Sequence, residues 1–275
     1  MSLVRSAAGI VFALPIEADA FARLVCERVD TRGGGLPFHE GTVGGKRVAW
    51  CVGGVGPERA TRATRLLIDG HRPRRVISAG FAGGLDPGLP RGGLIEPVAV
   101  RGEKTPTPLR LAAARGEPVG AQPLIVTLDR IARTVADKAE LAAATGAVLV
   151  DMETLAVAEV AAAAGLPCYG LRVVSDAATD ELPPDVGRLL RSQSTAKRAG
   201  MLLGMLGKRP GAAGDLWQLW ERAVVDGCTL ATGLTSLIET FPPELESSAV
   251  RADREPDQRS VGQVGRDRRT GEAQT

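Results

Sequence analysis

The chain has 275 residues, of which 44% are hydrophobic and 24% are charged, as in an ordinary globular protein with an adequate core. Its formal net charge is +2, so no overall field favours a nucleic acid or an anionic membrane as a partner. The four cysteines contain no CxxC pair and there are only two histidines, which predicts neither a disulfide framework nor a metal centre.

The first residues contain a short apolar run that Pro15 and Glu17 interrupt, and no signal-peptide cleavage region follows. No run of about eighteen or more apolar residues occurs anywhere in the chain. We therefore expect a cytoplasmic, reduced protein that needs no cofactor.

Apolar runs bounded by glycine or proline alternate with helical patterns, which predicts an α/β domain. In chain order we expect a strand at 8–14, a helix at 16–25, a hairpin of 37–43 and 47–52, a helix at 57–68, strands at 75–79, near 93–100 and at 124–127, a helix at 137–144, a strand at 147–151, a helix at 153–164, a strand at 167–174 and a helix at 186–206. The glycine-rich residues 80–84 are expected to form a loop, and residues 101–122 to be loop-rich.

We expect a catalytic domain over 1–208, a helical extension over 209–242 and a disordered, highly charged tail over 243–275. The extension carries apolar residues at near-helical spacing: Leu216, Trp217, Leu219, Trp220, Ala223 and Val224. This stripe either packs on the domain or on a partner subunit, or forms an apolar entrance with at most weak, reversible membrane contact.

Three predicted strand ends carry a carboxylate, namely Glu17, Glu153 and Asp176. Ligands in open α/β sheets bind beyond the carboxyl ends of the strands, so we expect these acids around one crevice. Each also has an ordinary interpretation, because the two glutamates begin helices, Glu17 at an exposed start, and Asp176 can cap a turn. Arg172 lies inside an apolar strand, where a guanidinium needs a carboxylate or backbone partner.

Five blocks of sequence together resemble one family in their order and spacing. They are ALPIEADAF (13–21), GVGPERA (54–60), RVISAGFAGGLDPGLPRGGLI (75–95), VDMETLAVAEVA (150–161) and LPCYGLRVVSDAA (166–178). They resemble the nucleoside phosphorylase/nucleosidase superfamily, especially its methylthioadenosine/S-adenosylhomocysteine nucleosidases. The DMET block, the TLDR…DK segment and the tryptophan-bearing tail are similar to the hopanoid-associated phosphorylase-like proteins. The resemblance implies a three-layer α/β fold with a central mixed sheet flanked by helices, and a homo-oligomer.

By this resemblance, Asp176 protonates the departing purine at N7, while Glu17 orients the attacking water with support from Arg172. Glu153 holds the ribose hydroxyls and Met152 packs on the sugar. The same resemblance implies four further substrate-binding residues: Gly83, Ser175, Ala132 and Phe81. Cleavage of a C–N glycosidic bond passes through an oxocarbenium-like state, and a positioned acid typically contributes about 10²–10⁴ in rate.

Three departures from the family pattern bear on the substrate. Phe81 replaces the serine or threonine that grips phosphate or water, and Glu17 would repel phosphate, which favours hydrolysis. Ile131 replaces the aromatic residue that stacks on the base. The segment between 100 and 124 is short, which predicts an open 5′ side suited to a bulky group such as an adenosyl-linked hopanoid.

Other functions stay open at this point. A phosphorylase, or a nucleosidase for methylthioadenosine, S-adenosylhomocysteine or futalosine-type substrates, uses the same residues. A catalytically silent nucleoside-binding protein would be expected to lack an acid, and all three are present. A dinucleotide-binding protein is disfavoured because Gly54, Gly56 and Ala60 form an incomplete fingerprint after a hairpin.

Overall fold

A mixed β-sheet with helices on both faces forms the centre of the protein. The computed structural model describes residues 5–105, 107–114, 122–183 and 212–242. The strands in these residues are β1 (Ala8–Phe12), β2 (Cys26–Gly33), β3 (Leu36–Val43), β4 (Lys46–Val52), β5 (Val76–Gly84), β6 (Leu94–Ile95), β7 (Ala99–Gly102), β8 (Leu109–Arg110), β9 (Leu124–Thr127), β10 (Leu149–Asp151) and β11 (Cys168–Asp176). The helices are α1 (Pro15–Leu24), α2 (Pro57–His71), α3 (Val135–Thr145), α4 (Thr154–Ala163) and α5 (Ala212–Glu239).

The order of the strands brings the predicted strand ends together. The sheet runs β2-β3-β4-β1-β5-β10-β9-β7-β8, and β11 pairs with β5 and β6 outside this order. Strands β1 and β11 both pair in parallel with β5, so they end at the same edge of the sheet. Strand β10 pairs antiparallel with the last part of β5, and its residue Val150 lies opposite Gly83. The ends of β1, β10 and β11 therefore converge on the glycines of β5.

The alternation of side chains along β1 separates two helical layers. Ile10 and Phe12 point into a core cluster with Phe21 of α1 and Leu230 of α5. Val11 points to the opposite face, into a second cluster that α2 and α4 cover. The prediction of an α/β fold with a central mixed sheet flanked by helices is therefore confirmed.

Most elements agree with the sequence prediction, including the hairpin of β3 and β4, strand β9 and helix α3. The expected loop at 80–84 is wrong, because these residues continue β5 and pair with β10 and β11. Strand β2 was not expected, because its sequence CERVDTRG is polar and the strand is exposed along most of its length. It pairs on one side only, with β3, at the edge of the sheet.

The last described helix, α5, agrees with the helical pattern expected there and packs against α1. The expected helix at 186–206 and the expected disordered tail at 243–275 lie outside the described residues. The division into domains stays a prediction. Among the described residues, no helix combines the length and the apolarity that crossing a bilayer requires.

Candidate active site

A cavity of about 420 Å³ opens where β1, β10 and β11 end beside β5. Its size falls within the usual range of small-molecule sites, roughly 300–1,000 Å³. All of the residues predicted from the sequence line it except Arg172: Glu17, Phe81, Gly83, Ala132, Met152, Glu153, Ser175 and Asp176. Their roles in chemistry stay predictions, but the structure brings these side chains to one place.

Glu17 is buried at the base of the cavity, with 3% of its surface exposed, so the expected exposed helix start is wrong. The first turn of α1 folds against the sheet and turns this side chain inward. Its Oε2 accepts hydrogen bonds from the amides of Ala13 (2.9 Å) and Leu14 (2.8 Å), and Oε1 accepts one from Phe81 (2.9 Å). Burial raises the pKa of Glu17, while these hydrogen bonds and the charge of Arg172 oppose the rise.

Glu153 precedes α4 and accepts a 2.7 Å hydrogen bond from the amide of Gly56 at the start of α2. Burial, followed by the negative charges of Asp151 and Glu17, raises the pKa of Glu153 to about 8. The Gly56 amide and Arg172 act in the opposite direction. The net effect of these surroundings is to favour the protonated form of Glu153.

Asp176 ends β11 and contacts a lysine that the sequence analysis missed. The carboxylate Oδ1 accepts a 2.7 Å hydrogen bond from the Ser175 hydroxyl, and Lys138 Nζ lies 2.6 Å from Oδ2. Lys138 is fully buried. Its neighbours Asp137 and Glu140 are charged, but its spacing to Leu141 and Thr145 is that of a buried face.

Arg172 is buried and does not line the large cavity. It has both a carboxylate and backbone carbonyls as partners, as its place in an apolar strand predicted. Its Nη2 forms a 2.8 Å ion pair with Asp151 and donates to the hydroxyls of Ser78 and Thr154, both at 2.6 Å. Its Nη1 donates to the carbonyls of Ser78 and Leu171. Asp151, to which the sequence analysis gave no role, therefore anchors the guanidinium.

A second, much smaller void lies between Arg172 and the two glutamates. Its volume is about 10 Å³, and Glu17, Glu153, Ser78 and Arg172 are among its lining residues. Because a single water molecule needs roughly 10–15 Å³ and several polar partners, this void has the size and polarity of a one-water site.

One wall of the cavity comes from α5, through Trp220, Ala223 and Asp226. Arg91 connects this wall to β11, the strand that ends in Asp176. Its Nη2 donates to Asp226 Oδ2 and its Nε donates to the Ser175 carbonyl, both at 2.8 Å. Asp226 is buried, which raises its pKa, and Arg91 opposes the rise. The sequence analysis considered only the apolar stripe of this helix and missed both charged residues.

Within the described part of the chain, no group of three or more His, Cys, Asp and Glu side chains is arranged to hold a metal ion.

Comparison with protein families gives a match to the model described as "Phosphorylase superfamily", over residues 7–114 and 109–204. A curated relative, the 5′-methylthioadenosine/S-adenosylhomocysteine nucleosidase of Actinobacillus succinogenes, is 28% identical over 72% of this chain and 97% of its own length. The protein of the same name from an Exiguobacterium species is 36% identical, over 34% of this chain and 40% of its own length.

Two solved structures show the same fold. The 5′-methylthioadenosine/S-adenosylhomocysteine nucleosidase of Neisseria meningitidis, in complex with methylthio-immucillin-A, has a TM-score of 0.65 at 19% identity and covers 85% of this chain and 98% of its own. The futalosine hydrolase of Helicobacter pylori has a TM-score of 0.64 at 18% identity and covers 84% of this chain and 97% of its own.

Proposed function

Because the chain belongs to the phosphorylase superfamily, we propose that it hydrolyses the N-glycosidic bond of a purine nucleoside. It is an enzyme of the N-ribosyl hydrolase or nucleoside phosphorylase type, as its nucleosidase relatives indicate. The observation that carries the proposal is the convergence of three carboxyl groups, those of Glu17, Glu153 and Asp176, on one largely apolar cavity. Each has different partners, which gives each a different chemical environment.

Asp176 is the proposed acid. Purine leaves poorly as an anion, so a proton must reach N7 as the bond between C1′ and N9 breaks and its electron pair moves to the base. The Asp176 carboxyl delivers that proton, with Oδ1 held by the Ser175 hydroxyl. The apolar residues Ile131 and Ala132 border the same cavity and provide a surface for the base.

Glu17 is the proposed base. As the sugar becomes cationic, water adds its oxygen to C1′ and gives a proton to the Glu17 carboxylate. Burial raises the pKa of Glu17, and a pKa closer to neutrality suits a group that must accept a proton. The adjoining one-water void supports this role.

Glu153 and Met152 are the proposed ribose site, since both line the cavity beside Asp176. A carboxyl group at this position can form hydrogen bonds with the ribose hydroxyls. Arg172 supports both glutamates electrostatically, because its charge lowers the pKa of each against the effect of burial.

The surroundings favour water over phosphate as the attacking group. A phosphate site needs several free donors or cations. The amide of Phe81 already donates to Glu17, and Arg172 is bonded to Asp151 and its neighbours. Of the arginines that line the described cavity, Arg91 is paired with Asp226 and Arg130 with Glu103.

We further propose an adenosine with a bulky, uncharged 5′ substituent, such as an adenosyl-linked hopanoid, as the substrate. Trp220 and Ala223 contribute to the cavity wall, and the pairing of Arg91 with Asp226 removes a cation that an anionic substituent would require. A methylthioadenosine/S-adenosylhomocysteine nucleosidase is the second candidate, because relatives of that name match the chain.

The test uses the purified full chain with adenosine, 5′-methylthioadenosine, S-adenosylhomocysteine and adenosine carrying an aliphatic chain at C5′. Free adenine is followed by chromatography, with and without phosphate. We expect adenine release without phosphate and the highest kcat/KM for the aliphatic derivative. A strong acceleration by phosphate with formation of a ribose 1-phosphate would contradict hydrolysis. No cleavage of any purine nucleoside would overturn the function itself.

A further inference from the structure

Lys138 is the only buried lysine among the described residues, and it faces the proposed acid. The capping box between Thr134 and Asp137 fixes the start of α3 and thereby the direction of the Lys138 side chain. Its Nζ lies 2.6 Å from Asp176 Oδ2 and donates to the carbonyls of Ala177 (2.6 Å) and Asp180 (2.9 Å).

Two of the three ammonium N–H bonds serve the carbonyls of Ala177 and Asp180. Asp176 Oδ2 lies 2.6 Å from the same Nζ as an ion-pair contact without the geometry of a hydrogen bond, so this buried oxygen accepts no hydrogen bond. A neutral amine has two N–H bonds and one lone pair, so it can keep both carbonyl contacts and face a protonated carboxyl instead. The two carbonyl contacts are therefore compatible with a charged or a neutral amine at this position.

An ion pair alone leaves the proposed mechanism without a proton to donate. When Lys138 is charged, Asp176 is a carboxylate, and a carboxylate has no proton for N7. The carboxyl becomes a donor if a proton moves from Nζ to Asp176 across the 2.6 Å that separate the two groups.

We propose that Lys138 holds the proton that Asp176 delivers to the purine, an inference that rests on the proposed function. The C1′–N9 electron pair moves to the base, N7 takes a proton from Asp176, and Lys138 becomes a neutral amine as its proton replaces the one delivered. Water adds to C1′ and leaves a proton on Glu17. Return of one proton from Glu17 through solvent restores the Lys138–Asp176 pair, so charge and atoms balance over a turnover.

The test is a double-mutant cycle on the full chain, with kcat for adenine release from adenosine as the readout. We expect Lys138→Met and Asp176→Asn each to lower kcat by about 10²-fold or more, as loss of a positioned proton donor does. The double variant should be slower than Asp176→Asn by no more than about threefold, because both changes interrupt one proton path. An effect of Lys138 on the fold that does not act through Asp176 would instead make the two losses multiply, and Lys138→Arg, which keeps the charge, separates proton supply from the positioning of Asp176. Multiplying losses, or a folded Lys138→Met variant within about threefold of wild type, would overturn the proposal.

Lys46→Met is the matched control. Lys46 also donates to two backbone carbonyls, those of Ile238 and Glu239, but it does not line the cavity. It should lower the melting temperature without lowering kcat.

If Lys138→Met fails to fold, Lys138→Arg takes its place, because a guanidinium keeps the positive charge but does not give up its proton. We expect Lys138→Arg to lose kcat by about 10²-fold while KM stays near the wild-type value. Wild-type kcat in that variant would overturn the proposal. An inactive Asp176→Asn with a fully active Lys138→Met refutes only the role of Lys138, whereas an inactive wild type refutes the proposed function.

Discussion

Glu17 occupies the space that a side chain on Gly80 would fill: a Cβ at Gly80 would lie 2.7 Å from Glu17 Oε1. A real Cβ does not approach an oxygen so closely, so the two residues depend on each other. Gly80 is glycine because the buried carboxylate next to it needs the room, and β5 can continue past the site without displacing the proposed base.

Gly80→Ala should therefore displace the Glu17 carboxylate and lower kcat by at least about tenfold, since misplacement of a catalytic group by about 1 Å can cost about 10² in rate. Gly70→Ala is the control, because a Cβ at Gly70 in α2 meets nothing within 4 Å. Gly70→Ala should keep full kcat and gain about 0.5–1 kcal/mol of stability. Equal kcat in the two variants would show that the contact does not matter to the reaction.

Glu17→Gln should be nearly inactive, with a loss of about 10²–10⁴ in kcat, because an amide cannot accept the proton of water. It should also be less stable by about 1–3 kcal/mol, since the amide NH₂ would face backbone N–H donors that now bond to a carboxylate oxygen. Adenine release and thermal unfolding measure the two effects. More than a tenth of wild-type kcat would exclude Glu17 as the base.

Glu153 should make the stability of the protein depend on pH. Its folded pKa of about 8 lies above the value of 4.5 that is usual for a glutamate. The folded state therefore binds more protons than the unfolded state between these values, and the free energy of unfolding falls as pH rises through this window. The slope from one such group is at most about 1.4 kcal/mol per pH unit.

Glu153→Gln removes this titration and can keep the hydrogen bond from Gly56, so it should stabilise the protein increasingly from pH 5 to pH 8. Urea unfolding of both proteins at several pH values measures the difference. Parallel stability profiles of variant and wild type would contradict the raised pKa.

Asp226→Asn should change which 5′ substituents the cavity accepts. The substitution leaves the Arg91 guanidinium without its anionic partner at the cavity wall. The ratio of kcat/KM for adenosine 5′-monophosphate to that for adenosine should rise by about tenfold, which corresponds to about 1.4 kcal/mol. Asp30→Asn, at an exposed pair on the sheet edge, serves as the control. An unchanged ratio would mean that Arg91 does not sense the substituent.

The sequence alone predicted the site residues that lie at the ends of strands. Glu17, Glu153 and Asp176 each come directly after a buried apolar run, and the parallel alignment of β1 and β11 with β5 brings two of them to one edge. The glycines of β5 were misinterpreted because glycine is usually a sign of a turn. Here the missing side chains make room for acids from other elements.

The residues that sequence patterns missed reach the site from elements distant along the chain. Lys138 meets Asp176 across 38 positions, and Arg91 meets Asp226 across 135. Each looks like an ordinary surface charge in its own segment, because neighbours in sequence carry no information about a partner that only the tertiary fold supplies. The spacing of Lys138 to Leu141 and Thr145 indicates a buried helix face, but the partner of the lysine becomes known only from its 2.6 Å contact with Asp176 at the end of β11.

The position of Trp220 makes its fluorescence sensitive to ligands that bind in the cavity. Trp220 lies at the cavity with 54% of its surface exposed, whereas Trp50 is 1% exposed and packs against Phe21. A nucleoside that enters the cavity should remove water from the Trp220 indole and shift its emission to shorter wavelength, while Trp50 stays unchanged. Titration of the inactive Asp176→Asn variant, with Trp220→Phe as the reference, would then give dissociation constants for candidate substrates without labels and without turnover.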